Sequence, residues 1–253
     1  DAPLPSCRKL RFAPDGAWLL CIKDDEVLVL NGTDGSLHFR KAGSYEDGAV
    51  SSTARRVFLS TLRYQASIFD LDTGATLVDG MAILGLRNHV VHRSAPWLMV
   101  RSVHFVQLVN LLTGASSDSK SVCTQSDKVE SSAFAVGSAD AVVTCLSGRV
   151  SRVSIEPASS SLLLDLKLVS PGGASALAVT SDGSLLTGTL DGRLWIGDRE
   201  LRDWSGGVHR LRPSVQSLIT GPEGSVAAVG EGLGPVVWSR LSEKPVQLPM
   251  RDR

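Results

Sequence analysis

The feature that most limits what this chain can become is a self-similarity of about 40 residues that runs almost from end to end. Six times a tight turn precedes a short run rich in Val, Leu, Ile and Phe: Asp15-Gly16, Arg55-Arg56, Ser94-Ala95, Ala139-Asp140, Asp182-Gly183 and Glu223-Gly224. Second turns follow at Asp24-Asp25, Arg63-Tyr64, Val103-His104, Ser147-Gly148, Asp191-Gly192 and Gly230-Glu231-Gly232, each leading into a further apolar run. A third turn carries Gly at Thr33-Asp34-Gly35, Asp72-Thr73-Gly74 and Thr113-Gly114. Each unit thus offers four short strands, a to d, and helical periodicity is weak throughout. Short strands with turn signals roughly every 8 to 12 residues predict an all-β fold. Four-strand units repeated six times select a β-propeller over a sandwich, which has no such repeat. The predicted blades are 8–45, 46–84, 85–125, 126–168, 169–208 and 209–250, within one domain spanning 1–253.

The segment from Ala176 to Asp198 carries the clearest pattern: an apolar run, Ser181-Asp182-Gly183, small residues, Asp191-Gly192, then Leu194-Trp195-Ile196-Gly197-Asp198. It resembles a WD40 repeat. Leu10 to Gly16 is similar to the first half of that pattern and Ser67 to Gly74 to the second half. The motifs are eroded, because the positions of the terminal Trp-Asp read Leu30-Asn31, Phe69-Asp70, Val109-Asn110, Val153-Ser154, Gly197-Asp198 and Ser239-Arg240. The resemblance implies a buried His–Asp hydrogen-bond tetrad that only blades two and five could retain. Since the family norm is seven blades, it also leaves open a seven-bladed ring with one blade missing or supplied in trans.

Lys and Arg number 26 and Asp and Glu 26, so the formal net charge is zero. This balance argues against general polyanion binding, which needs excess cations. The 43% apolar content excludes a largely disordered chain. Asp1-Ala2-Pro3-Leu4-Pro5 has neither an initiator Met nor a leader pattern, and the chain reads as an excerpt of a longer protein. The four cysteines, Cys7, Cys21, Cys123 and Cys145, lack the paired spacing of a zinc site. Cys21 and Cys145 sit in apolar runs, and the expectation is buried free thiols in a reducing compartment, hence an intracellular, cytoplasmic or nuclear setting.

No catalytic pattern stands out. There is no Gly-x-Ser-x-Gly elbow, and three Asn are too few for a calcium-lined channel. His89 and His92 have no Cys or acid nearby, so neither metal nor cofactor is expected. The window from Gly80 to Ser117 contains no Asp or Glu but holds Arg87, Arg93 and Arg101. Overlaying the b–c turns adds Arg63, Tyr64, His104, Arg149 and Arg193 as a basic rim over blades two to five, with Asp24, Asp25, Glu26 and Glu231 as an acidic counterpart. Trp18, Trp97, Trp195 and Trp238 recur at equivalent positions and read as core, whereas Trp204 reads as an exposed anchor. These residues point to a non-catalytic platform that binds other proteins, acidic segments among them, within a larger complex. The alternatives are an enzyme or small-ligand binder using the central channel, and an RNA- or anion-contacting subunit of a ribonucleoprotein.

Overall fold

The third turn of the first three repeats shows how local chemistry sets the architecture. At Asn31, Asp70 and Asn110 the side-chain Oδ1 accepts from the backbone N–H of Thr33, Thr73 and Thr113, at 2.8, 2.9 and 3.2 Å. Two residues past each Thr, or one, stands a glycine: Gly35, Gly74 and Gly114, with φ of 72°, 72° and 73°. Each glycine N–H returns to the carbonyl of the Asx residue, at 2.9, 3.0 and 2.8 Å. Asn and Asp supply a side-chain acceptor that mimics a backbone turn, and glycine supplies the left-handed conformation without Cβ strain. The same sequence device therefore reverses the chain three times in the same way.

The computed structural model describes residues 6–85, 87–117, 120–124, 127–135, 140–154, 159–165, 173–180, 182–201, 214–220, 225–230, 236–239 and 246–247. These residues form six four-stranded antiparallel sheets, each a meander in chain order. The chain divides into two compact units, Asp1–Lys120 and Ser121–Arg253. In the first unit, sheet one comprises β1 (Lys9–Phe12), β2 (Trp18–Ile22), β3 (Glu26–Asn31) and β4 (Leu37–Ala42). Sheet two comprises β5 (Asp47–Ser51), β6 (Arg56–Ser60), β7 (Gln65–Asp70) and β8 (Thr76–Ala82). Sheet three comprises β9 (Arg87–Val91), β10 (Trp97–Arg101), β11 (Phe105–Asn110) and β12 (Lys120–Ser121), whose last residue is the first of the second unit. In the second unit, sheet four comprises β13 (Val129–Phe134), β14 (Ala141–Cys145), β15 (Arg149–Ser154) and β16 (Ser159–Asp165). Sheet five comprises β17 (Ala174–Val179), β18 (Leu185–Thr189), β19 (Leu194–Ile196) and β20 (Arg199–Glu200). Sheet six comprises β21 (Val215–Thr220), β22 (Val226–Gly230), β23 (Val236–Trp238) and β24 (Val246–Gln247). Among the described residues, no helix is long and apolar enough to cross a membrane.

Each middle sheet serves two cores, because successive side chains of a strand point to opposite faces. In β6, Val57 and Leu59 join Leu20, Ile22, Val27 and Val29 of sheet one, while Phe58 joins Leu98 and Val100 of sheet three. In the second unit, Leu177 and Trp195 of sheet five pack with Val142 and Val150, while Ala176, Leu186 and Leu194 pack with Val226 and Trp238. Trp18, Trp195 and Trp238 are buried and Trp97 is half-buried, so the recurrent tryptophans are core or its margin. Asp70 of sheet two caps its turn and pairs with Arg56 at 2.7 Å, and Asp198 of sheet five is exposed. Among the described residues, neither carboxylate hydrogen-bonds to a histidine.

The cysteines depart from expectation. They are joined in two disulfides, Cys7–Cys21 and Cys123–Cys145, and none is free. In both, a residue preceding the first strand of a sheet is tied to the second strand of that sheet, in sheets one and four. The apolar runs around Cys21 and Cys145 suggested inert buried thiols. Burial is indeed complete for both, but the meander brings a partner sulfur to each, and the inference of a reducing compartment loses its ground.

The shared turn geometry separates strain from crowding. Gly74 has nothing within 4 Å of where a Cβ would stand, whereas at Gly114 that atom meets Val78 Cγ2 at 2.6 Å. Gly74→Ala is expected to cost about 1 kcal/mol, from the left-handed backbone alone. Gly114→Ala is expected to cost about 2 kcal/mol or more, as crowding adds to strain. Urea unfolding of the two variants reads the difference, and equal losses would show that Val78 gives way freely.

Candidate functional site

Three cations at the start of sheet one grip the residues that lead into sheet two. Arg8 donates to the Tyr45 carbonyl at 2.5 Å and to Glu46 Oε2 at 3.0 Å. Lys9 Nζ reaches the Glu46 carbonyl at 2.7 Å and its Oε1 at 3.0 Å. Arg11 Nη2 lies 2.8 Å from Oδ2 of Asp47, a carboxylate that is fully buried. Hydrogen bonds from Lys9 and then Arg8 hold the Glu46 carboxyl below its usual range. The next innermost strand, β9, adds His89, which is 4% exposed and meets Phe58 edge-on with centroids 5.0 Å apart. Desolvation drives the His89 pKa down to about 4, against the favourable field of Asp47 and with the unfavourable fields of Arg11 and Lys9. Charged and titratable groups thus run across three successive innermost strands.

The clamp shapes one wall of a pocket of about 350 Å³ lined by Ser44, Tyr45, Glu46, Thr61, Leu62, Arg63 and Gln65. Its other wall is the b–c turn of sheet two, closed by Thr61 N–H to the Gln65 carbonyl at 2.8 Å and Ile83 N–H to the Tyr64 carbonyl at 2.9 Å. Tyr64 takes φ of 58°, a left-handed conformation that side chains avoid. Leu62 is 70% and Tyr64 55% exposed, and Arg63 between them is also exposed. A loop before the first strand and a b–c turn therefore meet at one end of sheet two.

At the opposite end of sheets one and two a second cluster forms. Arg55, with φ of 54°, donates from Nε to Asp72 at 2.8 Å and sits over the Trp18 ring at 5.5 Å. His38 stacks on Trp18 with centroids 4.5 Å apart and lies 3.2 Å from Asp72. Arg55 first, and His38 after it, hold the Asp72 carboxyl down to about 2. Arg55 stands where sheet one has Gly16, and its ion pair and ring contact offset the backbone strain.

The remaining basic residues separate into groups. Arg101 and His104 flank the b–c turn of sheet three, and Arg87 is opposite Arg101 in register, its side chain lying outside the described residues. Arg93 is exposed in the a–b turn, a strand length or about 16 Å away. The acid-free window is therefore one patch in sequence and two places in the fold. Arg193 is engaged by Asp191 at 2.9 Å and Glu200 at 3.7 Å. Arg149 opens β15 opposite Asp165. On the acidic side, Asp24 approaches Arg8 at 3.7 Å, and Glu26 pairs with Lys23 at 2.7 Å and Arg40 at 2.6 Å. Trp204 and Glu231 lie outside the described residues. The clamp was not foreseen; its only signal was Arg and Lys in strand one facing Glu46-Asp47 in the next repeat.

Two outcomes follow from the clamp and its buried neighbours. Arg11→Met removes the ion pair of the buried Asp47 carboxylate and is expected to cost about 3 kcal/mol in urea unfolding. For His89, the unfolded chain binds a proton below pH 6.5 that the native protein refuses until about 4. Stability is therefore complete above pH 6.5 and falls by about 3 kcal/mol as pH drops toward 4. His89→Leu is expected to remove that part of the slope, and a slope unchanged between about pH 6.5 and 4.5 would contradict it.

No family model matches the sequence, and no curated protein matches it. Solved structures do. The WD40 repeats of RRP9 align with a TM-score of 0.68 at 15% identity, covering 93% of this chain and 78% of that one. U3-55K aligns with a TM-score of 0.68 at 14% identity, covering 93% and 79%. The computationally designed Ika8 protein aligns with a TM-score of 0.61 at 16% identity, covering 92% and 70%. Six four-stranded meanders together with these alignments establish that the chain has the fold of a WD40-type β-propeller.

Proposed function

We propose that the chain is a non-catalytic interaction platform within a larger assembly, and that a partner's acidic segment seats on Leu62-Arg63-Tyr64 beside the adjoining pocket. The observation that carries this reading is the b–c turn of sheet two: two large apolar side chains in the open flank a cation, and Tyr64 is held at positive φ. Strained backbone persists where the surrounding structure over-determines it, and such positions cluster at functional sites. Arg63 supplies charge for an acidic partner, and Tyr64 is a large rigid anchor of the kind enriched in binding hot spots. The clamp of Arg8, Lys9 and Arg11 keeps the pocket wall fixed, so little ordering entropy is lost on binding. Arg101 and His104 act at the corresponding turn of sheet three, with Arg87, Arg149 and Trp204 as further contacts.

Affinity capture from the source cells with the full-length protein tests the platform. Stoichiometric partners are expected, with recovery reduced at least about tenfold by Arg63→Glu and by Tyr64→Gly. Tyr64→Gly separates binding from folding, because glycine relieves the strained φ and should leave the melting temperature unchanged or higher. A chain that stays alone, or variants that capture as well as wild type, would overturn the reading. With both pairs bonded, thiol alkylation at lysis is expected to find the four cysteines protected, whereas full labelling would return the platform to the cytoplasm or nucleus.

A further inference from the structure

The two disulfides have different surroundings. Beside Cys123–Cys145 stands the carboxylate of Asp127, and the two sulfurs and a carboxylate oxygen all lie within 4.8 Å of one another. All three residues are buried. Asp127 is fixed from behind: its Oδ1 accepts from the backbone of Lys128 and Ser147, each at 2.9 Å, and its Oδ2 from the Ser147 hydroxyl at 2.5 Å. Cys7–Cys21 has no such third donor, because among the described residues this is the single group of three.

We propose that Cys123, Cys145 and Asp127 have a second state, a binding site for a thiophilic divalent cation with the chemistry of zinc, entered when the disulfide is reduced. A thiol or phosphine reductant supplies two electrons, the S–S bond breaks, and each sulfur takes up a proton. The incoming cation displaces both protons and binds two thiolates and one carboxylate. Two sulfur ligands with one oxygen select zinc over calcium or magnesium, which take oxygen almost exclusively. Tetrahedral zinc with Zn–S bonds of about 2.3 Å sets its sulfurs about 3.8 Å apart, so modest side-chain rotation suffices from the bonded pair. The hydrogen bonds from Ser147 and Lys128 play the part of outer partners that orient a ligating carboxylate. The Val122 carbonyl oxygen, 3.6 Å from Cys145 Sγ, or a water serves the fourth position. Without the cation, a carboxylate beside two thiols disfavours both thiolates, so reduction and cation binding are linked.

Disulfide and cation then perform one structural task by two chemistries: each ties the segment before β13 to the end of β14. The disulfide serves where the environment oxidises, the cation where it reduces. Cys7–Cys21 has only the first option.

The test uses the full chain, reduced with a phosphine under inert gas and titrated with Co²⁺ as a spectroscopic probe, then with Zn²⁺. One equivalent of Co²⁺ per reduced chain is expected, with thiolate-to-metal and tetrahedral ligand-field absorption, displaced by Zn²⁺ and absent from the oxidised protein. The double variant Cys7→Ser with Cys21→Ser keeps the site. Asp127→Asn removes a ligand and weakens it by at least about tenfold, the lower end of what losing even an outer partner of a ligand costs. Asp127→Cys supplies a third thiolate and binds at least as tightly as wild type. Should the reduced apoprotein unfold, regain of its β-sheet circular dichroism on adding Zn²⁺ reads the same equilibrium. No binding by the reduced wild type, or equal affinity in Asp127→Asn, would overturn the proposal.

Discussion

The strands of sheet two send Val57 and Leu59 to one neighbour and Phe58 to the other, and the first unit depends on that division. A four-stranded meander has two apolar faces and is only marginally stable alone, so it persists when sheets cover both sides. At roughly 25 cal/mol for each Å² removed from water, covering both faces dominates the favourable terms. Sheet five repeats the arrangement in the second unit, with Leu177 and Trp195 to one side and Ala176, Leu186 and Leu194 to the other. The turns then need only reverse the chain in a fixed number of residues, which the Asx–Gly device does.

Strand ends and innermost strands leave room for charged groups that face-to-face packing elsewhere excludes. There the first unit builds two opposed clusters. The clamp of Arg8, Lys9 and Arg11 on Tyr45, Glu46 and Asp47 joins sheets one and two at one end. The Trp18, His38, Arg55 and Asp72 group joins them at the other. The pocket borders the first cluster, so a rigid ionic seam stands directly behind the exposed turn at Leu62-Arg63-Tyr64. The chain thus combines a fixed base with a strained, uncovered tip.

Much of this was legible from residues alone. Turn pairs such as Asp15-Gly16 and Asp191-Gly192 mark strand ends through local backbone preference, and local preference survives folding. Arg63 and Tyr64 were visible as b–c turn residues because repeats can be overlaid. Grouping was not visible. Arg93 and Arg101 are close in sequence, yet a strand of extended backbone puts them at opposite ends of sheet three. Arg193 read as a rim cation, yet Asp191 and Glu200 engage it. The clamp escaped notice because its halves belong to successive repeats, about 37 residues apart.

The sequence by itself determined the all-β class, the repeated four-strand unit and the turn chemistry, since each rests on neighbours within a few residues. Only the tertiary structure decided the fate of the cysteines. Cys123 and Cys145 are separated by 22 positions with no metal-binding spacing, and Asp127 gave no sign of joining them. Antiparallel pairing of β13 with β14 returns the chain on itself and brings two sulfurs and a carboxylate together. Spacing along a chain describes ligand sets held by one turn or loop; a set assembled across a strand pair depends on register, which is fixed once a face of the sheet is buried.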